Sequence, residues 1–250
     1  EHYTLFFDMT MMWDPELLSV GKTRVKYFRD KPGRIGVLPR HAPGNEIRWF
    51  ETSSFYMYHT INAWEEGRKV VLIGCKIDAP LVGDPLNPPR QVPSIGFLRL
   101  EPFLYRWELD LDTGAVKESK LDDAVSEFPR MDNRALGRKT RYSYNQRIAD
   151  MPTLLFDGVT KYDLEADSSS AHAYPKGWFG GEVVFAPRVG STAEDDGYLV
   201  TFVVEEATGS SEAWIMDAKN MQSSPFARVL IPQRVPTGYH AWWVPAESAS

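Results

Sequence analysis

The apolar residues of this chain come in short runs cut off by turn formers, and that pattern restricts its fold more than any other feature. Arg24-Val25-Lys26-Tyr27-Phe28, Val70-Val71-Leu72-Ile73-Gly74-Cys75 and Gly197-Tyr198-Leu199-Val200-Thr201-Phe202-Val203-Val204 are rich in β-branched and aromatic residues and have the length of strands. Tyr3-Thr4-Leu5-Phe6-Phe7 opens the sequence in the same manner. Stretches with helical apolar spacing are hard to find, and 18 prolines and 18 glycines punctuate the whole length. The pattern predicts an all-β fold with many loops, and 250 residues at 43% hydrophobic suffice to bury a sizeable core.

A weak repeat narrows the choice. Leu109-Asp110-Leu111-Asp112-Thr113-Gly114, Leu164-Glu165-Ala166-Asp167-Ser168-Ser169 and Met216-Asp217-Ala218-Lys219-Asn220-Met221 each follow an aromatic-containing strand, with first residues 55 and 52 positions apart. Repeats of this size suit the blades of a β-propeller, because one blade cannot bury its faces without neighbours. A sandwich or barrel with ordinary hairpins has the same local signature, so spacing leaves both open. No internal domain boundary stands out. The loop Gly83-Asp84-Pro85-Leu86-Asn87-Pro88-Pro89-Arg90, the polar run Asp167-Ser168-Ser169-Ser170 and the tail Glu247-Ser248-Ala249-Ser250 are expected to be flexible.

Charge and cysteine usage exclude several functions. Lys+Arg 28 against Asp+Glu 34 leaves a net charge of -6 without a basic block, which argues against nucleic acid as a partner. The single cysteine, Cys75, permits neither an internal disulfide nor a cysteine-rich zinc site and suits a reducing compartment. The apolar runs fall far short of a membrane span, and no N-terminal stretch has the order of a secretory signal, so a cytoplasmic protein is expected. A strand beginning almost at Glu1 predicts that an N-terminal part precedes this sequence.

Chemistry rests with histidines and carboxylates. His2, His41 and His172 read as surface or loop residues. His59 lies in the apolar run Phe55-Tyr56-Met57-Tyr58-His59-Thr60-Ile61-Asn62-Ala63-Trp64, and His240 closes Arg234-Val235-Pro236-Thr237-Gly238-Tyr239-His240. Imidazole in such surroundings needs partners for both nitrogens, and a core histidine bonded to a backbone carbonyl meets that need as well as a metal ligand does. Glu127 and Glu182 stand next to apolar residues, where an unmatched charge is costly. Each could receive the outer N–H of a metal-bound imidazole, or bond to nearby backbone or an arginine.

A series of modest motifs in one order resembles the carotenoid cleavage oxygenase family along nearly the whole chain. It runs through Glu1-His2-Tyr3 with Phe7-Asp8-Met9, Arg34-Ile35-Gly36-Val37-Leu38-Pro39-Arg40, Trp49-Phe50, and His59 with Asn62-Ala63-Trp64-Glu65. It continues through Glu127-Phe128-Pro129-Arg130, Phe156-Asp157-Gly158-Val159 with Lys161-Tyr162, and Gly181-Glu182-Val183-Val184-Phe185-Ala186-Pro187-Arg188. Glu194-Asp195-Asp196-Gly197, Asp217-Ala218-Lys219 and Val235-Pro236-Thr237-Gly238-Tyr239-His240 complete it.

The resemblance implies a seven-bladed propeller, of which this chain forms about the last four to five blades in a single domain. It also implies an iron(II) ion, Fe2+, on the propeller axis, held by four histidines backed by glutamates. On that pattern His59 is similar to the third ligand and His240 to the fourth, both projecting from inner strands, while Glu127 stands behind the third and Glu182 behind the fourth. The first two ligand histidines and the first of these glutamates belong upstream of Glu1. The implied reaction inserts O2 across a C=C bond of a carotenoid, an apocarotenoid or a stilbene-type phenylpropanoid and yields two carbonyl products. Phe128, beside Glu127, is expected to line the tunnel for the apolar polyene. Met11, Met12, Trp13, Leu17 and Leu18 fall where related enzymes carry an apolar patch at the tunnel mouth, implying peripheral membrane contact; packing against a neighbouring blade is the structural alternative. A non-enzymatic propeller that binds a protein partner is the alternative from another class, and it predicts no carboxylate behind either histidine.

Overall fold

The computed structural model describes residues 1–13, 15–20, 25–77, 81–82, 98–99, 101–151, 154–236, 238 and 240–246. They form two compact units, Glu1–Asp123 and Ala124–Ser250. The first unit contains β1 (Tyr3–Asp8), β2 (Met11–Trp13), the short helix α1 (Pro15–Ser19), β3 (Val25–Tyr27), β4 (Gly33–Pro39) and β5 (Arg48–Thr52). It continues with β6 (Tyr56–Glu66), β7 (Lys69–Ile77), β8 (Leu81–Val82), β9 (Leu98–Arg99), β10 (Pro102–Asp110) and β11 (Val116–Lys120). Antiparallel strands β6, β7, β10 and β11 make a four-stranded sheet, and β1, β4 and β5 a three-stranded one.

Burial follows each strand's place in its sheet. Strand β7 lies between β6 and β10 and is buried along all but its first residue, and Val70 to Cys75 read as an unbroken apolar run. Strand β10 turns Leu104, Trp107 and Leu109 inward, and Trp107 meets Phe55 with ring centroids 5.8 Å apart. Ile35, Val37 and Phe50 extend the same core. Lys76 is tolerated inside β7 because its ammonium donates to Ser53 Oγ at 2.6 Å and lies 3.3 Å from the Glu118 carboxylate.

The second unit holds β12 (Ser126–Arg130), β13 (Tyr142–Ile148), β14 (Phe156–Asp163), β15 (Ser168–Ala173), β16 (Trp178–Gly180), β17 (Val184–Pro187), β18 (Gly197–Glu205), β19 (Ser211–Asp217) and β20 (Ala227–Ile231). Two four-stranded meanders, β12 to β15 and β17 to β20, are joined by β16, which pairs with both β14 and β18. Tyr144, Val159, Val183, Phe185, Leu199, Val203 and Trp214 fill the core between them.

The sequence repeat marks one hairpin in three successive four-stranded meanders, the turn from third to fourth strand. Its register differs from the one read in sequence: the equivalent residues are Asp110, Asp163 and Asp217, 53 and 54 positions apart, which shifts the middle copy by two. Asp110 Oδ1 accepts the N–H groups of Asp112 and Thr113, Asp163 Oδ1 those of Glu165 and Ala166, and Asp217 Oδ1 that of Lys219. A short carboxylate that captures backbone donors two and three residues on closes the turn. Four residues after the first two aspartates the chain takes a positive φ, 80° at Gly114 and 50° at Asp167. Asp167 therefore stands where glycine is favoured, a conformation that aspartate tolerates better than most residues.

Two further expectations change. Ser168-Ser169-Ser170 is not a flexible turn but the start of β15, paired with Tyr162 and Lys161 on β14, because the turn is already complete at Asp167. His172 is not a loop residue: it lies on β15, its Nδ1 3.1 Å from the Met221 carbonyl and its ring edge-on to Trp214. The loop 83–90, the tail 247–250 and the side chain of Leu17 lie outside the described residues.

Asp163 also takes a two-pronged bond from Arg141, at 2.9 and 2.6 Å, and this together with the backbone donors lowers its pKa to about 2. A depressed carboxylate pKa stabilises the fold above the unfolded value, and that contribution fades as pH falls through the folded one. Asp163→Asn should lower the melting temperature by a few degrees near neutral pH. The gap from the parent protein should hold down to about pH 5 and close as pH approaches 2, as thermal melts across that range will show.

Candidate functional site

Each of the sequence-singled residues except His240 lies at a break in a β-ladder. His59 is on β6 between Met57, paired with Lys76, and Thr60, paired with Gly74, so two β6 residues oppose Cys75 alone. A second shift follows between Thr60 and Asn62. Bulges of this kind re-aim a side chain that regular alternation would send elsewhere. Gly74 makes the first one possible: a Cβ there would collide with Met57 Sδ and approach the His59 carbonyl at 3.2 Å. His59 itself is half-buried.

Glu127 and Phe128 occupy the irregularity in β12, where pairing with β13 shifts between Glu127 and Arg130. Both are buried, and Phe128 has φ 49°, a left-handed conformation that costs a bulky residue about 1–3 kcal/mol. The Glu127 carboxylate takes the Phe128 N–H that the bend turns away from the ladder. The Phe128 ring packs edge-on against Phe156, centroids 5.2 Å apart, and lies 5.4 Å from the ring of His240.

Glu182 sits in the gap between β16 and β17, both of which pair with β18. Gly181 is held there by its N–H to the Phe202 carbonyl, and its own carbonyl accepts Gln146 Nε2 at 2.7 Å and Thr201 Oγ1 at 3.0 Å. The Glu182 side chain is 4% exposed and faces Arg130 and the segment around His240. One oxygen faces Arg130 Nη2 at 2.7 Å; the other accepts the Ala241 N–H and stands 3.5 Å from His240 Nδ1. That last distance is an ion-pair separation, longer than a good hydrogen bond.

His240 does not project from a strand as expected. The described residues of 232–246 contain no strand, so ladder bonds do not fix this histidine, and its position is set by the side chains it meets. Arg130, present in the Glu127-Phe128-Pro129-Arg130 motif but given no role by the sequence, donates to the Ala241 carbonyl at 2.7 Å and places its guanidinium 5.2 Å from the Trp242 ring. An arginine closing a short strand, three residues after a buried acid, is the signal that could have found it. Among the described residues no group of three or more His, Cys, Asp or Glu side chains is gathered to hold a metal. His59 belongs to the first unit, and His240, Glu127 and Glu182 to the second.

The sequence model of the retinal pigment epithelial membrane protein (RPE65) family matches residues 1–245. Carotenoid 9,10(9',10')-cleavage dioxygenase 1 of Pisum sativum is 35% identical over 267 aligned residues, covering 98% of this chain and 47% of its own length. Among solved structures, cobalt-substituted apocarotenoid oxygenase of Synechocystis superposes with TM-score 0.84 at 25% identity, over 96% of this chain and 50% of that one. The lignostilbene dioxygenase of Pseudomonas brassicacearum gives 0.85 at 27% identity, over 98% and 54%. The fold is thus the all-β propeller of these oxygenases, and the chain spans about half the length of the curated relatives it matches. It belongs to the RPE65 family of carotenoid cleavage oxygenases.

The bulge at His59 carries a stability test. Gly74→Ala should force Met57 and the β6 backbone apart and cost about 1–3 kcal/mol, the usual range for overpacking, read as a lower urea midpoint with unchanged slope. Regular positions along β7 should accept a change of one methyl group with a smaller loss.

Proposed function

We propose that the protein to which this chain belongs is a non-haem iron(II) dioxygenase that cleaves a C=C bond of a carotenoid or apocarotenoid with O2 to give two carbonyl products. The observation that carries this is the placement of the buried Glu182 carboxylate at Nδ1 of His240, in a chain 35% identical to a carotenoid cleavage dioxygenase. With Nδ1 turned to the carboxylate, Nε2 is assigned to the metal, and the neutral donor suits Fe(II). His59 is proposed as the second ligand from this chain and Glu127 as the carboxylate behind it.

Iron held by imidazoles alone, with coordination positions left open, supplies the capacity to bind and activate O2. This chain's own residues do the rest of what is proposed here. Glu182 orients the His240 ring without occupying a coordination position. Phe128, held over His240 by its left-handed backbone, gives the substrate an apolar wall and helps exclude water from the reacting bond. A polyene has no polar groups along its length, so it is positioned by such surfaces and not by hydrogen bonds.

A stilbene-type phenylpropanoid is the second reading, favoured by the close superposition on lignostilbene dioxygenase. A purely protein-binding propeller is disfavoured by the Glu182–His240 contact. Met12, Trp13 and Leu18 are 43%, 55% and 45% exposed beside α1, and Met11 is half-buried. We propose that this patch meets a membrane surface peripherally in a cytoplasmic protein and gathers lipid-dissolved substrate. No described helix is long and apolar enough to cross a membrane.

Cleavage assays on the full-length protein with apocarotenoids and stilbenes under 18O2 test the reaction. Two carbonyl products with label incorporated are expected, and no cleavage of either class by iron-loaded protein rejects the proposal. His59→Ala and His240→Ala should abolish stoichiometric iron. Glu182→Gln should lower iron affinity or activity about 10–100-fold, measured by metal analysis and initial rates.

A further inference from the structure

His240 stands on a strap without ladder bonds, and yet its neighbour Ala241 is gripped at both ends of its backbone. The Ala241 N–H goes to Glu182, and its carbonyl to Arg130 Nη2 at 2.7 Å. The same nitrogen stands 2.7 Å from the other Glu182 oxygen, which closes a ring of contacts through guanidinium, carboxylate and peptide. The guanidinium also faces Trp242, so residues 240, 241 and 242 are each met by Glu182 or Arg130. Arg130 comes from β12, two residues beyond Phe128, whose ring lies against His240. One irregular strand therefore supplies both the apolar contact to the imidazole and the polar anchor of its backbone.

We propose that Arg130 is a positioning residue for His240. It fixes the Ala241 peptide and the Glu182 carboxylate relative to one another, and through them the direction of the imidazole. The inference rests on the iron-site reading and extends it to a residue that acts on His240 through Ala241 and Glu182. A planar guanidinium suits the task because one group can bond a carboxylate and a carbonyl while lying over an indole. Lysine at this position keeps the charge but loses the plane.

The test uses the full-length protein and two readouts besides activity. The first is hydrogen–deuterium exchange at Ala241 in the metal-free protein, and the second is the rate of Fe(II) loss to an added chelator. In Arg130→Met, exchange at Ala241 should rise at least tenfold and iron loss should accelerate about 10–100-fold, the usual cost of losing a residue that orients a metal ligand. Arg130→Lys should fall between parent and Arg130→Met in both. Because Arg130→Met leaves the Glu182 charge unmatched, the double variant Arg130→Met/Glu182→Gln controls for folding. It should melt close to the parent and still lose iron rapidly.

Parent-like exchange or parent-like iron retention in Arg130→Met overturns the proposal. So does iron loss in the double variant no faster than in Glu182→Gln alone, which would reduce Arg130 to charge compensation. Iron content that His240→Ala leaves unchanged overturns the iron-site reading and the positioning role with it. That result is told apart from failure of the clamp alone, in which His240→Ala abolishes iron and Arg130→Met does not.

Discussion

A carboxylate taken out of water must be met by donors, and in this chain the most consequential case is Glu182. It lies in a gap between two short strands, with Arg130, the Ala241 N–H and the His240 ring around its oxygens. Removing any of these partners leaves a buried charge less well satisfied, so the cost of burial ties β12, the β16–β17 junction and the C-terminal strap to one another. The position of His240 follows from that need. Phe128 against the imidazole and Arg130 against Trp242 add to the order of a strap that has no ladder among its described residues.

Ladder defects carry the other residues that the sequence singles out. A regular strand alternates its side chains between two faces and cannot bring a histidine, a glutamate and a phenylalanine to selected directions without breaking register. The two shifts around His59, the left-handed Phe128 and the interruption at Gly181-Glu182 are three such breaks. Each has its own local support: Gly74 beneath the first, the Glu127 carboxylate on the Phe128 N–H in the second, and Gln146 and Thr201 on the Gly181 carbonyl in the third. The ladders β7–β10, β10–β11, β14–β15 and β18–β19 run in continuous register, which gives the strained segments a rigid frame.

The aspartate turns show how little of a sheet's sequence needs to recur for the architecture to recur. Asp110, Asp163 and Asp217 close equivalent hairpins, while the strands that lead into them share only the presence of aromatic and apolar residues and the strands that follow share not even that. Trp107 and Trp214 each stand three residues before their aspartate and are buried, whereas the middle hairpin has Thr160 there. Packing at that point takes an indole in two copies and a much smaller threonine in the third. The turn needs a carboxylate that reaches the donors two residues on.

What the sequence determined by itself was the all-β class, the recurring hairpin and the family motifs, the last of which single out His59, His240, Glu127 and Glu182. These depend on residue type and local spacing, which a sequence displays directly. It misplaced the middle repeat by two residues because turn register depends on which carboxylate captures which N–H, and Leu164-Glu165-Ala166 imitates the flanking copies. Reading Ser168-Ser169-Ser170 as loop failed because a polar edge strand carries no apolar alternation. Only the tertiary structure decided that His240 leaves the strands, that Phe128 turns left-handed to lie against it, and that Arg130 joins Glu182 in holding Ala241. Arg130 and Ala241 are 111 positions apart, and a contact between them exists only once two blades have packed and a buried charge has to find its partners.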